Sequence, residues 1–364
     1  MHHQGTPQRP EEPRPTAPNE ALWLDAPGGS FAVGPAPTPT AGPGELVVRV
    51  RAVAVNPADV IPGVLRRIIC PWLRYPAVIG TDISGEAVEV GPGVHGLEPG
   101  DRVLAYAAGL ERSRNTPAEG AFQRYAVVLA TVCTPLPAAL SFEQGAVVPL
   151  GAATAAAGLY ERDQLALPLP RLPRRPTQGV VLVWGGSSSV GCNAIQLARA
   201  SGFAVVASAS PRNHALLRQL GADMVVDYHD DDVDQQVIAA IGDRELVGVL
   251  AIGSGSVTHA LRITRRTRGT KRISTVYPDP ITRLRGLVAR TRGVRISVIR
   301  GGTPIHSPVG PAVFRTFLPE ALRDGSFRPA PEPKVVGSGL EQLPAAFDAL
   351  RAGVSASKIV VTIP

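Results

Sequence analysis

Residues 179–210 read GVVLVWGGSSSVGCNAIQLARASGFAVVASAS, and this stretch decides the fold class. Val180–Trp184 is a continuous apolar run, too short for a helix and bounded by glycines, as a strand buried on both faces should be. A turn of Gly and Ser follows, then a helix that includes Ala194–Ala200, then a second apolar strand at Phe203–Ala207. Strand, glycine-rich turn, helix and strand in this order predict an α/β unit with a doubly wound parallel sheet. It is also the context that a dinucleotide-binding turn requires.

Within Gly185-Gly186-Ser187-Ser188-Ser189-Val190-Gly191, Gly186 is expected to permit the tight turn. Gly191 should let the helix pack close to the strand. The backbone N–H groups of the turn and the helix start would cradle a pyrophosphate, with the serine hydroxyls as added donors. Ser188 stands where the usual middle glycine would be, so the strict G-x-G-x-x-G is broken; a Gly/Ser turn of another α/β protein stays open on the motif alone. At the end of the second strand an NAD site normally carries Asp or Glu for the ribose hydroxyls. Here Ala207–Asn213 reads ASASPRN, with hydroxyls and the Arg212 guanidinium but no carboxylate. That chemistry suits a 2′-phosphate and favours NADPH.

Downstream, Asn213–Leu220 should be helical, with further strands at Met224–Val226, Leu246–Ile252 and Ile273–Val276. Arg262–Arg272 carries six basic residues and no acid. Gly301–Pro311 reads as a loop, Pro311–Arg323 and Leu340–Leu350 as helical, and Lys358–Ile363 as a closing strand. Upstream, the punctuation is different. Residues 1–20 hold five prolines and almost nothing apolar, and are expected to be a disordered tail. The Pro/Gly-rich Pro27–Gly44 leads into Glu45–Val55, whose alternation predicts a half-buried strand. Gly85–Val90, Asp101–Tyr106 and Phe122–Val128 are further strands between turn-rich connectors, so the first part of the chain should be a compact β-rich domain. Ser141-Phe-Glu-Gln144 has the form of a capping box and opens an Ala/Leu-rich helix to about Tyr160. Glu161–Gln178, with four prolines and four arginines, reads as a loop or hinge margin.

The chain of 364 residues is long enough for two domains, and its 44% hydrophobic content rules out full disorder. The net charge of +7 suits an anionic cofactor or acidic partner, or simply a basic surface. No aromatic-studded basic groove marks a nucleic-acid reader, and no run of 18 apolar residues marks a membrane span. Cys70, Cys133 and Cys192 make no C-x-x-C pair, which argues against a disulfide framework or a thiolate-rich zinc site. The N-terminus lacks the apolar stretch of a signal peptide, so a cytoplasmic location is expected.

Several motifs together resemble the zinc-independent branch of the medium-chain dehydrogenase/reductase superfamily. These are Val53–Asp59 (VAVNPAD), Gly80–Gly91 (GTDISGEAVEVG), Pro99–Val103 (PGDRV), Gly120–Tyr125 (GAFQRY), Pro149–Thr154 (PLGAAT), Gly185–Leu197, Leu220–Tyr228 (LGADMVVDY) and Gly353–Ile363 (GVSASKIVVTI). The similarity is to quinone oxidoreductase-like proteins and, closer still, to fungal trans-acting enoyl reductases of polyketide assembly, and it covers about residues 21–364. It implies a GroES-like β-rich catalytic domain over 21–145, completed by 325–364, and a Rossmann domain over 146–324, with the active site in the cleft. The implied cofactor residues are Asn56, Thr154, Ser188, Ser189, Val190, Ser210, Asn213 and Tyr228. Ser210 and Tyr228 would flank the 2′-phosphate, Thr154 would lie beside the nicotinamide, and Asn56 beside the hydride-transfer site, so Asn56 and Thr154 are also the candidate catalytic residues.

The zinc branch carries G-H-E where this chain has Gly80-Thr81-Asp82, and Asp82 alone is no metal site, although His95 or Cys70 could approach it. Two departures from the resemblance stand out. Ile61 replaces a lysine that often follows N-P-x-D, and the region 262–311 matches poorly. Tyr106 and Tyr125 are candidate donors to a substrate carbonyl or structural tyrosines, His214 a solvated helix residue, and Cys192 a packing residue. The implied activity is NADPH-dependent reduction of an activated carbon–carbon double bond, in an enoyl thioester or a quinone-like acceptor. Water is the default proton source, and a polyketide synthase or acyl carrier is the implied partner of a monomer or homodimer. A non-catalytic or weakly active NADPH-binding protein is the alternative.

Overall fold

The alternating Glu45–Ala54 becomes the central strand of the first half of the chain. In the computed structural model, which describes residues 18–276, 286, 289–291 and 293–364, the strands before the first long helix are β1 (Glu20–Leu24), β2 (Phe31–Pro35), β3 (Glu45–Ala54), β4 (Ala77–Val78), β5 (Asp82–Val90), β6 (Arg102–Tyr106), β7 (Tyr125–Leu129) and β8 (Cys133–Pro135). The second half adds β9 (Val180–Trp184), β10 (Ala204–Ser208), β11 (Met224–Val226), β12 (Leu246–Ala251), β13 (Arg272–Thr275) and β14 (Arg295–Val298), then β15 (Glu332–Ser338) and β16 (Ser357–Thr362). β3, β5, β6 and β8 form an antiparallel series with β7 also on β3, and β2-β1-β4 form a smaller sheet.

The second sheet is parallel throughout, in the order β11-β10-β9-β12-β13-β14. Numbered from β9, this is the 3-2-1-4-5-6 order of a doubly wound dinucleotide-binding sheet. Both faces of β9 are covered. Val181 and Val183 pack with Ile195 and Leu197 of the helix Ser189–Ala200 and with the alanine-rich helix Pro149–Tyr160. Val180, Leu182 and Trp184 pack on the opposite face with Val233, Val237 and Val257. A strand buried on both sides needs no polar alternation, which is why its sequence is a plain apolar run.

The chain ends by returning to the first sheet. β16 pairs antiparallel with β3, Val361 opposite Val53 and Val360 opposite Ala54, and β15 lies parallel beside β16. The helix Pro149–Tyr160, buried along nearly its whole length, joins the two sheets.

Several expectations are refined. The tail expected over residues 1–20 lies outside the described residues for 1–17; Asn19 and Glu20 are parts of the fold. Asn19 is 1% exposed, donates to Gln123 Oε1 at 3.0 Å and accepts from the Tyr125 N–H at 3.0 Å, and Glu20 opens β1. β2 lies inside the Pro/Gly-rich stretch that the sequence presents only as a lead-in. The capping box at Ser141 forms on both sides, but the helix it opens ends at Ala146. A new one starts at Pro149, whose ring removes the N–H a continuing helix would need. The basic run 262–272 begins on the helix Ser256–Arg266, where Arg262 reaches Asp234 at 3.5 Å.

Candidate functional site

The turn after β9 is built by two glycines with separate tasks. Gly185 has φ +81°, in the left-handed region, so the conformational freedom lies there and not at Gly186 as the sequence suggests. Gly186 is small for packing: a Cβ would stand 2.6 Å from Leu217 Cδ2. Both amides are held by the end of β10, Gly186 N–H donating to Ser208 O at 2.8 Å and Gly185 N–H to Ser208 Oγ at 3.0 Å. Ser188 caps the helix Ser189–Ala200. Its hydroxyl accepts from Gly191 N–H at 3.0 Å and donates to Gly185 O at 2.8 Å. That hydroxyl therefore closes the turn instead of adding a donor for a ligand. Ser189 Oγ is buried and turned toward Gly151, where a Cβ would meet it at 2.5 Å. The added serine-hydroxyl donors expected at these two positions are thus turned inward, and Ser188 N–H is itself taken by Gly185 O at 3.2 Å, which leaves the backbone N–H groups of the first helical turn, Ser189 and Val190 among them. Gly191 permits the close approach: a Cβ there would lie 2.4 Å from Gly185 O and 2.7 Å from Gly186 Cα.

At the ends of β10 and β11, Ser210 Oγ and Tyr228 Oη are 3.0 Å apart. Arg212 is exposed beside them, with no ion pair among the described residues. Asn213 is 8% exposed and donates to Ser355 Oγ at 3.1 Å, a contact with the segment leading into β16. The nearby carboxylates are engaged elsewhere. Asp223 takes Arg199 at 2.7 Å, and Asp227 contacts His229 at 2.7 Å. His214 is less free than a solvated residue, its Nε2 standing 3.0 Å from Ala209 O.

Strand register builds the other end of the site. Asp82 lies opposite Ala54 on one side and Tyr106 on the other. β16 against β3 brings Lys358 opposite Asn56, just beyond the last paired residues. Asn56 Nδ2 donates to Asp82 Oδ2 at 2.8 Å and to Thr81 Oγ1 at 3.2 Å, while Asn56 Oδ1 accepts from Lys358 Nζ. Lys358 and Asp82 form an ion pair of 2.9 Å with side chains only 6% and 0% exposed. The other Asp82 oxygen accepts from Leu150 N–H at 2.5 Å, at the start of the helix Pro149–Tyr160. Thr154 lies one turn further along that helix, 8% exposed, and is backed by Gly301, whose Cβ would stand 2.7 Å from Thr154 Oγ1.

Asp59 lies under this group, its Oδ2 accepting from Asn56 N–H at 2.8 Å and its Oδ1 buried without a partner. Burial raises its carboxyl to about 7, with the Asn56 amide pulling the other way and the Asp82 charge adding to the rise. Tyr106 is fully buried and donates to Glu111 Oε1 at 2.6 Å, so its proton is directed to that carboxylate. Tyr125 is buried within the first sheet beside Val47 and Val127. Burial pushes the Cys192 thiol up to about 12, in keeping with packing and not nucleophilic chemistry.

Asn56, Thr154 and the Gly/Ser turn thus share one region, since Gly151 lets the Thr154 helix lie against the helix of the turn. Lys358 and the role of Asp82 are what residue patterns missed. Their partners are distant in sequence, and the only clue is that Lys358 falls on the closing strand. Asp82 is committed to Lys358, Asn56 and Leu150, while the His95 carbonyl takes Arg315 at 2.6 Å. Among the described residues, no three His, Cys, Asp or Glu side chains gather as a metal cluster. A nicotinamide dinucleotide fits the donor set: a glycine cradle that a Cβ would fill, a helix N-terminus, and a strand end with hydroxyls and an unpaired guanidinium. Among the described residues no helix is long and apolar enough to cross a membrane.

Comparison with known proteins places these features in context. Residues 42–138 match the alcohol dehydrogenase GroES-like domain, and residues 189–299 match the zinc-binding dehydrogenase domain. The dehydrogenase pigH of Monascus ruber is 42% identical over 366 residues, spanning 95% of this chain and 99% of that protein. The trans-enoyl reductase himH of Aspergillus japonicus is 38% identical over 349 residues, 95% of this chain and 97% of that one. The crystal structure of the CurK enoyl reductase superposes with a TM-score of 0.74 at 19% identity, covering 96% and 100% of the two chains; this likeness shows the fold alone.

Proposed function

This chain belongs to the medium-chain dehydrogenase/reductase superfamily, and we propose that it is an NADPH-dependent reductase of a conjugated carbonyl compound, an enoyl thioester before a quinone. The observation that carries this reading is the pairing of two ends on one turn. The carboxylate-free end of β10, with Ser210 and Arg212 and with Tyr228 from just past the next strand against Ser210, lies at one side, and the buried Asn56–Asp82–Lys358 group beneath Thr154 at the other. The name of the relative himH, a trans-enoyl reductase, supports the thioester over the quinone.

NADPH, when bound, supplies the hydride that reduces the double bond. The protein's share is holding and orienting. The first-turn amides after Ser188 would hold the pyrophosphate, and Arg212 with the two hydroxyls would hold the 2′-phosphate through charge-assisted hydrogen bonds. The Thr154 hydroxyl would set the nicotinamide edge. Negative charge grows on the substrate carbonyl oxygen as the double bond is reduced, so a fixed, water-poor site with oriented dipoles lowers the barrier. Water is the proton source for the α-carbon in this scheme, which leaves Asp59 and Tyr106 to structure.

The partner that fits a thioester substrate is an acyl carrier or a polyketide synthase. The test is direct. Purified protein is mixed with NADPH and, in turn, the crotonyl thioester of N-acetylcysteamine, a simple enal and a benzoquinone, and nicotinamide absorbance is followed. Loss of absorbance fastest with the thioester is expected. NADPH binding without turnover of any of the three would replace this reading with a nucleotide-binding protein.

A further inference from the structure

We propose that Lys358 is a positioning residue, fixing both the Asn56 amide and the start of the Thr154 helix; the inference rests on the reductase reading of this cleft. Asn56 has an oxygen and a nitrogen of nearly the same shape, and its neighbours decide which way the amide faces. An ammonium can only donate, so the Asn56 edge facing Lys358 must be Oδ1. Nδ2 is thereby turned to Asp82 and Thr81. The same ammonium holds Asp82 Oδ2 at 2.9 Å, leaving Asp82 Oδ1 for the Leu150 N–H. The helix Pro149–Tyr160 has no cap from its own preceding residue, so this carboxylate from another sheet supplies the acceptor at its start. Thr154 follows one turn later, and its hydroxyl inherits that placement.

The charge itself matters. Without Lys358, Asp82 is a buried carboxylate that keeps the Asn56 and Leu150 N–H groups but has no cation in contact, which is costly. Nothing then fixes which edge of the Asn56 amide faces outward or holds Oδ2 away from the helix, so the amide or the helix start can turn. The effect should be felt at the nicotinamide end and not at the adenosine end.

The experiment uses the full chain with Lys358→Met, Lys358→Arg and the charge-balanced double variant Lys358→Met/Asp82→Asn. Melting curves are recorded with affinities for NADPH and for adenosine 2′,5′-bisphosphate, which lacks the nicotinamide half. Single-turnover reduction of the crotonyl thioester of N-acetylcysteamine is measured alongside. Lys358→Met should bind the bisphosphate as the parent does, yet bind NADPH about fivefold more weakly and reduce the thioester at least about tenfold more slowly, since a small misplacement at the reacting end is costly. Lys358→Arg should keep part of both. The double variant should regain the melting temperature but neither NADPH affinity nor rate. If it regains them, Lys358 only neutralises a buried charge and the proposal is overturned; equal loss of both ligands in the double variant overturns it as well. Should Lys358→Met not fold, the double variant carries these comparisons. Parent protein that turns over no thioester sinks the reductase reading separately, because the contrast between the two ligands does not depend on turnover.

Discussion

The hydroxyls of Ser210 and Tyr228 stand 3.0 Å apart and join the ends of two neighbouring parallel strands. Ser210 sits just past the strand end where an NAD-binding sheet would place a ribose-binding carboxylate, and the exposed Arg212 lies one peptide beyond Pro211. NADPH should therefore bind more tightly than NADH. Arg212→Ala should weaken NADPH by about tenfold to a hundredfold, as loss of a charge-assisted contact does, and leave NADH nearly unchanged. Nicotinamide fluorescence at fixed ionic strength measures both, since salt screens the contact. Equal affinities in the parent protein would reject the assignment.

Gly191 provides a sharper test of the turn. A side chain there enters the space of the Gly185 carbonyl and the Gly186 backbone. Gly191→Val should cost about 1–3 kcal/mol of stability through overpacking, yet leave a cooperative melt. NADPH binding should be lost, because the helix start is displaced from the turn. A folded Gly191→Val protein with normal NADPH affinity would show that the pyrophosphate lies elsewhere.

Asp59 predicts a pH dependence of stability. Its carboxyl is raised to about 7 by burial, so the folded state binds this proton more tightly than the unfolded chain does. Stability from this group is full below the unfolded carboxylate range and is lost as pH rises toward 7. Asp59→Asn keeps an acceptor for the Asn56 N–H and cannot ionise. The variant should therefore gain on the parent between pH 5 and pH 7.5, by on the order of a few kcal/mol at the upper end. Melting temperatures across that range check it, and parallel curves would contradict it.

Metal content follows from the company Asp82 keeps. Both of its oxygens are occupied, by Lys358 and Asn56 on one side and the Leu150 amide on the other. A cation at that carboxylate would have to displace an ammonium. Elemental analysis after gentle purification should find no stoichiometric zinc. One zinc per chain, with activity lost on chelation and restored on addition, would be the contrary result.

Most of the second sheet was readable because a strand buried on both faces, such as Val180–Trp184, needs nothing but apolar residues and a glycine turn; the half-exposed edge strand Arg295–Val298 carries no such signal and was missed. The same local reading assigned the turn's freedom to Gly186, since two adjacent glycines look alike until the backbone shows which has positive φ. β1 and β2 were obscured by prolines and by pairing that is visible only in space, Trp23 opposite both Ala32 and Val78. The missing carboxylate at the end of β10 is local in sequence and legible from Ala207–Asn213, whereas the approach of Tyr228 to Ser210 is visible only in space. The buried charge group was not legible, because Asn56, Asp82 and Lys358 meet only when the last strand is laid on the third.

That last strand has a consequence for the order of events at the ribosome. β3 is synthesised early but receives β16 only after all the strands between them have been made, and Ile363 donates its N–H to Arg51 O at 2.8 Å. The parallel sheet, though translated second, is complete in sequence first and can close while the earlier sheet waits with an open edge. Nascent chains stalled just short of Ser357 should then protect Val180–Ala251 from protease while leaving the region around β3 susceptible, and emergence of Ser357–Thr362 should protect both together.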